Sequence, residues 1–171
     1  MALIDRLFHR RDRADGRALY TAIVARARAP HWYLDGSVPD TLDGRFDMIA
    51  AILSLVLLRL EDDPGGAAPS AHLAEQFVDD MDGQLREIGI GDIVVGKHVG
   101  RMMGMLGGRL GAYRDALAGG GDLDSAITRN IFRGHPPGAA ALAHVRGRLL
   151  ALCGALATTP TAALIAGALP S

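Results

Sequence analysis

Cysteine is nearly missing from this chain: Cys153 is the single one in 171 residues. No intrachain disulfide can form, no metal site can be built on cysteines, and a reducing compartment is the natural setting. Cys153 sits in a Leu/Ala run, which predicts a buried, inert thiol. Lysine is as scarce, with Lys97 alone against 17 arginines. The familiar catalytic signatures are absent: no GxxxxGK[ST], no GxSxG, no HExxH, no EF-hand loop. Gly89-Ile90-Gly91 has no strand before it, so a dinucleotide reading lacks its support. The paired Glu-x-x-His of di-iron bundles is missing too.

Two further absences bear on class. No period-2 alternation of useful length occurs, which excludes a half-buried sheet. The net charge is -1, so nothing pulls the whole chain toward nucleic acid or an anionic membrane. Residues 149–171 carry no charge, yet Gly154, Gly167, Pro160 and three threonines dilute their leucines. Two short buried helices are expected there rather than a membrane span. Residues 1–13 show no secretory signal pattern.

What remains is helical patterning. Residues 16–29 read as a helix stopped by Pro30, with Leu19, Ile23, Val24 and Ala27 inward. Residues 31–40 read as a loop holding Trp32 and Tyr33, two large aromatics that either plug the core or meet a ligand. Residues 42–60 repeat apolar positions at three and four (Phe46, Ile49, Ile52, Leu53, Val56, Leu57, Leu60) and are apolar nearly all round from 48 to 58. That helix belongs at the centre of the fold. Residues 67–88 offer the stripe Leu73, Phe77, Met81, Leu85, Ile88, and Gly89-Ile90-Gly91-Asp92 forms a tight corner. A short helix follows at 122–133, then helices at 138–156 and 162–168. The fold class is therefore all-α: a single-domain bundle of six or seven helices over residues 1–171. Residues 1–14 precede it as an amphipathic helix, with Leu3, Ile4, Leu7 and Phe8 on one side and arginines on the other. Such a helix suits a membrane surface or folds back as a cap.

The helix at 93–118 is unusual. Gly96, Gly100, Gly104 and Gly108 recur every fourth residue, joined by Gly107 and Gly111. Each costs about 1 kcal/mol against alanine in a helix interior. The simplest return is close approach of another helix into a groove without side chains. Lys97, His98, Arg101 and Arg109 argue against a membrane span.

Charge is uneven along the chain. Residues 61–92 hold nine acids against one base, Arg86; residues 93–171 hold eight bases against three acids. Such blocks pair across neighbouring helices, face water, or offer an acidic docking surface to a basic partner. Asp79, Asp80 and Asp82 form the densest polar stretch, with no nucleophile nearby in sequence. His72, Glu75 and Asp79 share a helix face by spacing, which makes at best a weak oxygen-rich metal site beside the plainer reading of an exposed polar face.

Several motifs in order resemble one family. Phe77-Val78-Asp79-Asp80-Met81-Asp82, Leu85-Arg86-Glu87-Ile88-Gly89-Ile90-Gly91-Asp92 and Val95-Gly96-Lys97-His98-Val99 closely resemble the signature of the ubiquinol–cytochrome c chaperone family. So do Leu19-Tyr20-Thr21-Ala22-Ile23, Pro30-His31-Trp32-Tyr33, Asp43-Gly44-Arg45-Phe46-Asp47 and Gly108-Arg109-Leu110-Gly111-Ala112-Tyr113. The likeness spans residues 18–117, and residues 122–171 match no motif. Family members often carry a histidine in the helix after Gly-Arg-Phe; Ala50-Ala51-Ile52 stand there instead, so no role for such a histidine is carried over.

The resemblance implies an all-helical chaperone, not an enzyme and without cofactor. Its client would be newly made cytochrome b, or its transmembrane segments, during cytochrome bc1 assembly. A ribosome, a small partner protein and peripheral membrane contact are further partners it implies, with no readout of nucleic acid. The location would be cytoplasmic or at the inner membrane face. Holding an apolar segment reversibly calls for adaptable walls and a charged rim. Trp32, Tyr33, Met102, Met103 and Met105 are the candidate walls; Asp79, Asp80, Asp82, Lys97 and Arg101 are the candidate rim. The alternatives are a helical module for another client, or a metal-dependent enzyme built on His72, Glu75 and Asp79.

Overall fold

The computed structural model describes residues 16–87 and 92–170, with the side chains of residues 84–99 outside that description. The amphipathic helix expected over residues 1–14 and the Gly89-Ile90-Gly91 corner also fall outside it. Every regular element among the described residues is a helix. They are α1 (residues 16–27), α2 (Pro30–Leu34), α3 (Leu42–Glu61), α4 (Ala67–Glu87), α5 (Asp92–Leu117), α6 (Leu123–Asn130), α7 (Ala139–Thr158) and α8 (Thr161–Ile165).

Pro30 does more than stop α1. It occupies the first turn of α2, where a missing N–H costs nothing and the fixed φ suits a helix. The stretch expected as a loop is therefore helical through Leu34. This turns Trp32 and Tyr33 back onto the end of α1. Trp32 Nε1 donates to the Arg26 carbonyl at 2.9 Å, and Tyr33 Oη donates to the Ala27 carbonyl at 2.8 Å. Both carbonyls lie in the last turn of α1, where the helix itself supplies no donor. The chain then turns at Gly36, where a Cβ would meet the Trp32 carbonyl oxygen at 2.5 Å.

α3 starts at Thr41, whose hydroxyl accepts from Gly44 N at 3.1 Å; a cap of this kind contributes about 1 kcal/mol. From Met48 to Leu57 every residue is buried, so α3 is the central helix its composition predicted. α4, α5 and α7 pack around it. α4 delivers Leu73, Phe77 and Met81 to the core, and α5 delivers Met102, Leu106 and Tyr113. Asp122 caps α6, accepting from Ser125 N at 2.9 Å. Arg59 of α3 donates to the Leu156 and Thr159 carbonyls, holding the end of α7.

α8 is the short closing helix, and α7 is one 20-residue helix that fills the stretch expected at 138–156 and runs two residues further. Its stripe Ala141, Val145, Leu149, Leu152 and Leu156 is buried, while Gly147, Leu150, Ala151 and Gly154 are exposed. Among the described helices it alone is long and apolar enough by length and composition to cross a membrane. Its stripe is nonetheless part of the common core, packed on α3 and α6.

Among the described residues one charged group lies wholly inside. Asp47 of α3 has no exposed surface, and two arginines meet it. Arg109 of α5 pairs with one carboxylate oxygen, and Arg133, just after α6, donates Nε to the other at 2.7 Å. Arg133 also reaches Asp43 at 2.7 Å. Arg109 lies 5.4 Å over the ring of Phe46, which in turn packs 5.5 Å from Phe77 of α4. Burial pushes the Asp47 carboxyl upward and the two guanidiniums pull it back, so the charge depends on its partners. Arg133 adopts φ +52, a left-handed backbone that costs about 1–2 kcal/mol for a residue with a Cβ. Its paired side chain offsets that cost.

Truncating Asp47 leaves two guanidiniums facing each other over a buried gap. Asp47→Ala is expected to lose about 3–5 kcal/mol in urea unfolding. Asp43→Ala, at an exposed pair, is expected to lose less than about 1 kcal/mol. Equal losses would mean that the buried pairs carry no special weight.

Candidate functional site

α1 and α4 border a cleft of about 1100 Å³. Arg17, Tyr20 and Arg28 line it from α1; His72, Glu75, Asp79 and Asp80 line it from α4. Tyr20 Oη donates to Asp80 Oδ2 at 2.8 Å. Burial, then the hydrogen bond and charge of Asp80, push the Tyr20 hydroxyl far above the ordinary phenol range, so it stays a donor. His72, Glu75 and Asp79 share this wall, as their spacing predicted. Among the described residues no three His, Cys, Asp or Glu converge to hold a metal.

The glycine face of α5 is the second feature. Among the described residues no helix fills the groove expected there. A Cβ built on Gly100, Gly104, Gly107, Gly108 or Gly111 meets nothing within 4 Å. The buried side of α5 is Met102, Leu106 and Tyr113, and by the helical period the glycines lie opposite it. They form a smooth outward stripe. Met103 and Met105 flank it, 41% and 38% exposed, and Arg101 is exposed beside it.

The residues expected as one groove are thus distributed. Asp79 and Asp80 are brought together in the α1–α4 cleft; Arg101 and Met105 do not line it and belong to the open side of α5. Asp82 is half-buried. Trp32 is fully buried and Met102 nearly so, which makes both core residues rather than walls in contact with a ligand. Tyr33 is half-buried with its hydroxyl engaged. Lys97 lies on α5 with its side chain outside the described residues. Cys153 is half-buried, and burial pushes its thiol up to about 11, in keeping with the inert reading.

The Asp47–Arg109–Arg133 cluster went unmarked among the candidate residues. A signal was present: a carboxylate directly preceding a run of ten buried residues must find a cation. Which cation was not legible, since Arg109 and Arg133 lie 62 and 86 residues away. The cluster also ties together separate motifs. Phe46 and Asp47, Phe77, and Arg109 come from three of them and meet at one point.

Fold and faces define a class: an all-helical domain whose second-layer helix turns an unpacked glycine stripe outward. The chain belongs to the ubiquinol-cytochrome C chaperone family, whose model matches residues 34–170. The match takes in α6 to α8, well past residue 117, where the short motifs ended. Those helices are rich in Ala, Leu and Gly, and their individual residues carry little signature. The chain is also similar to the crystal structure of the Cbp3 homolog from Brucella abortus. The two are 34% identical over 96% of this chain and 93% of that one, with a TM-score of 0.81. None of the curated proteins matches.

Since none of the described residues packs on the stripe, side chains can be added there. Gly104→Ala and Gly108→Ala are each expected to raise stability by about 0.5–1 kcal/mol in thermal unfolding, the ordinary helix preference for alanine. A loss of stability would mean that a further surface covers this face in solution.

Proposed function

We propose that this protein is an assembly chaperone for the cytochrome bc1 complex that holds newly made cytochrome b. Family membership over residues 34–170 is the observation that carries this reading. The likeness to a Cbp3 homolog over nearly the whole chain supports it.

The open stripe of α5 is the face best suited to such a client. A transmembrane helix packs on a partner through close backbone approach, and small residues permit it. Gly100, Gly104 and Gly108 supply that surface, with nothing within 4 Å. Met103 and Met105 at its edge are unbranched and repack around different side chains. Arg101, exposed beside the stripe, would meet polar groups at the end of the bound segment. Trp32 and Met102 act from beneath: Trp32 closes the end of α1, and Met102 seats α5 on the core. The acids Asp79 and Asp80 would form a separate polar surface for a second partner. Release follows when a bc1 subunit competes for the same face of the client. The place of work in this reading is the inner membrane face, where the client is inserted.

The test is Gly104→Leu, which adds bulk in open space and should leave helicity and melting temperature near those of the parent. Capture of cytochrome b by the tagged protein from native membranes is expected to fall at least about tenfold, the equivalent of 1.4 kcal/mol. Undiminished capture would move the client site off α5. If the parent protein captures no bc1 subunit at all, the client assignment itself is wrong.

A further inference from the structure

Most arginines that cross between elements have an acid. Arg109, Arg114, Arg133 and Arg146 each meet a carboxylate at hydrogen-bond distance. Among the described residues, Arg26 and Arg148 meet none. Arg26 lies in the last turn of α1, and Arg148 lies on α7 one turn after His144. His31 of α2 feels the charge of both, and its Nδ1 lies 3.0 Å from His144 Nε2, with ring centroids 5.3 Å apart. All four side chains are half-buried. The Nε atoms of Arg26 and Arg148 and the Nε2 of His31 are buried, and no protein atom hydrogen-bonds any of them.

This is an uncompensated cluster. The charges that bear on His31 are Arg148, His144 and Arg26, against Asp35 alone, whose influence is the smallest. Arg26 and Arg148 also repel each other. A fold that gives four of its inter-element arginines a carboxylate has here gathered two guanidiniums and two imidazoles from three helices. Buried donors left unmatched cost roughly 1–3 kcal/mol each. The chemistry that would answer all of them is an anion with several acceptor oxygens.

We propose that Arg26, His31, His144 and Arg148 form a binding site for a phosphate-type oxyanion, carried by free phosphate or by an anionic lipid headgroup. Nothing in the chaperone reading uses these residues. A tetrahedral phosphate presents enough oxygens to take forked donors from both arginines and one from an imidazole; a carboxylate presents two. The His31–His144 contact requires at least one neutral ring, since two imidazolium ions cannot hydrogen-bond each other. Burial first, then Arg148, lowers the His31 pKa below its ordinary value of 6.5. Its neutral form is therefore favoured in the free protein. A bound anion reverses that preference and takes up a proton, so affinity should rise as the pH falls through the ordinary histidine range. From the cluster, α7 continues outward through the exposed Gly147, Leu150 and Ala151, an apolar surface suited to a lipid's glycerol and acyl region.

The experiment uses the full chain with inorganic phosphate, replacing chloride at constant ionic strength, and follows histidine ring signals by NMR. Phosphate is expected to move the His31 and His144 signals together, to raise the His31 pKa, and to bind more tightly at pH 6 than at pH 8. Arg148→Gln should weaken binding at least about tenfold while melting no lower in chloride, because a repulsion has been removed. A second arm uses vesicles of phosphatidylcholine with and without phosphatidylglycerol. If only the anionic vesicles bind, and Arg148→Gln abolishes that binding, the anion is a headgroup and the site stands. The proposal is overturned if neither phosphate nor anionic vesicles disturb the two histidines, or if Arg148→Gln responds like the parent to both. Should that variant fail to fold, the histidine signals of the parent protein decide alone.

Discussion

Two guanidiniums, from Arg109 and Arg133, share the buried carboxylate of Asp47, and through it α3, α5 and the turn after α6 meet at one point. A carboxylate with no exposed surface cannot be left alone in a low-dielectric interior. The two arginines must therefore arrive together, and their arrival sets where α5 lies along α3. Phe46 and Phe77 close the same junction by stacking, which adds α4. The cost of burying these charges buys position more than stability. A purely apolar seam could slide; a carboxylate with two fixed partners cannot.

That fixed position explains why α5 can waste one of its faces. Met102, Leu106 and Tyr113 hold the helix to the core, and Arg109 pins it. The opposite side can then be given over to glycine, with none of the described residues packed on it. A helix carrying so many glycines would be marginal by itself. Its stability is borrowed from the contacts beneath, which leaves a smooth backbone surface facing outward.

The aromatic pair at the start of α2 works by the same logic. Trp32 and Tyr33 supply donors to the last carbonyls of α1, and Trp32 fills the core while doing so. This short helix also carries His31 to His144, bringing α7 against α1 and α2. The basic cluster at that junction thus arises where three helices are already held for structural reasons. Asp79 and Asp80 gather on the far side of α1, in the cleft with α4.

The sequence by itself determined the helical class, the central place of α3 and the inert setting of Cys153. Each follows from a local pattern: apolar residues at three and four, a run apolar on every side, a thiol among leucines. Within the site, it also determined that Asp79 and Asp80 share a surface and that α5 is set apart by its glycines. Only the tertiary structure decided which way those glycines face. Glycine has no side chain to signal whether a neighbour or water lies beyond it, so the same spacing fits a packed groove and an open stripe. Trp32 and Met102 were ambiguous for a related reason, since a large apolar side chain suits a core and a binding wall equally. The pairing of Asp47 with Arg109 and of His31 with His144 was decided at distances of 62 and 113 residues. Periodicity tells a helix which face to bury, but it carries no information about which other helix will be there.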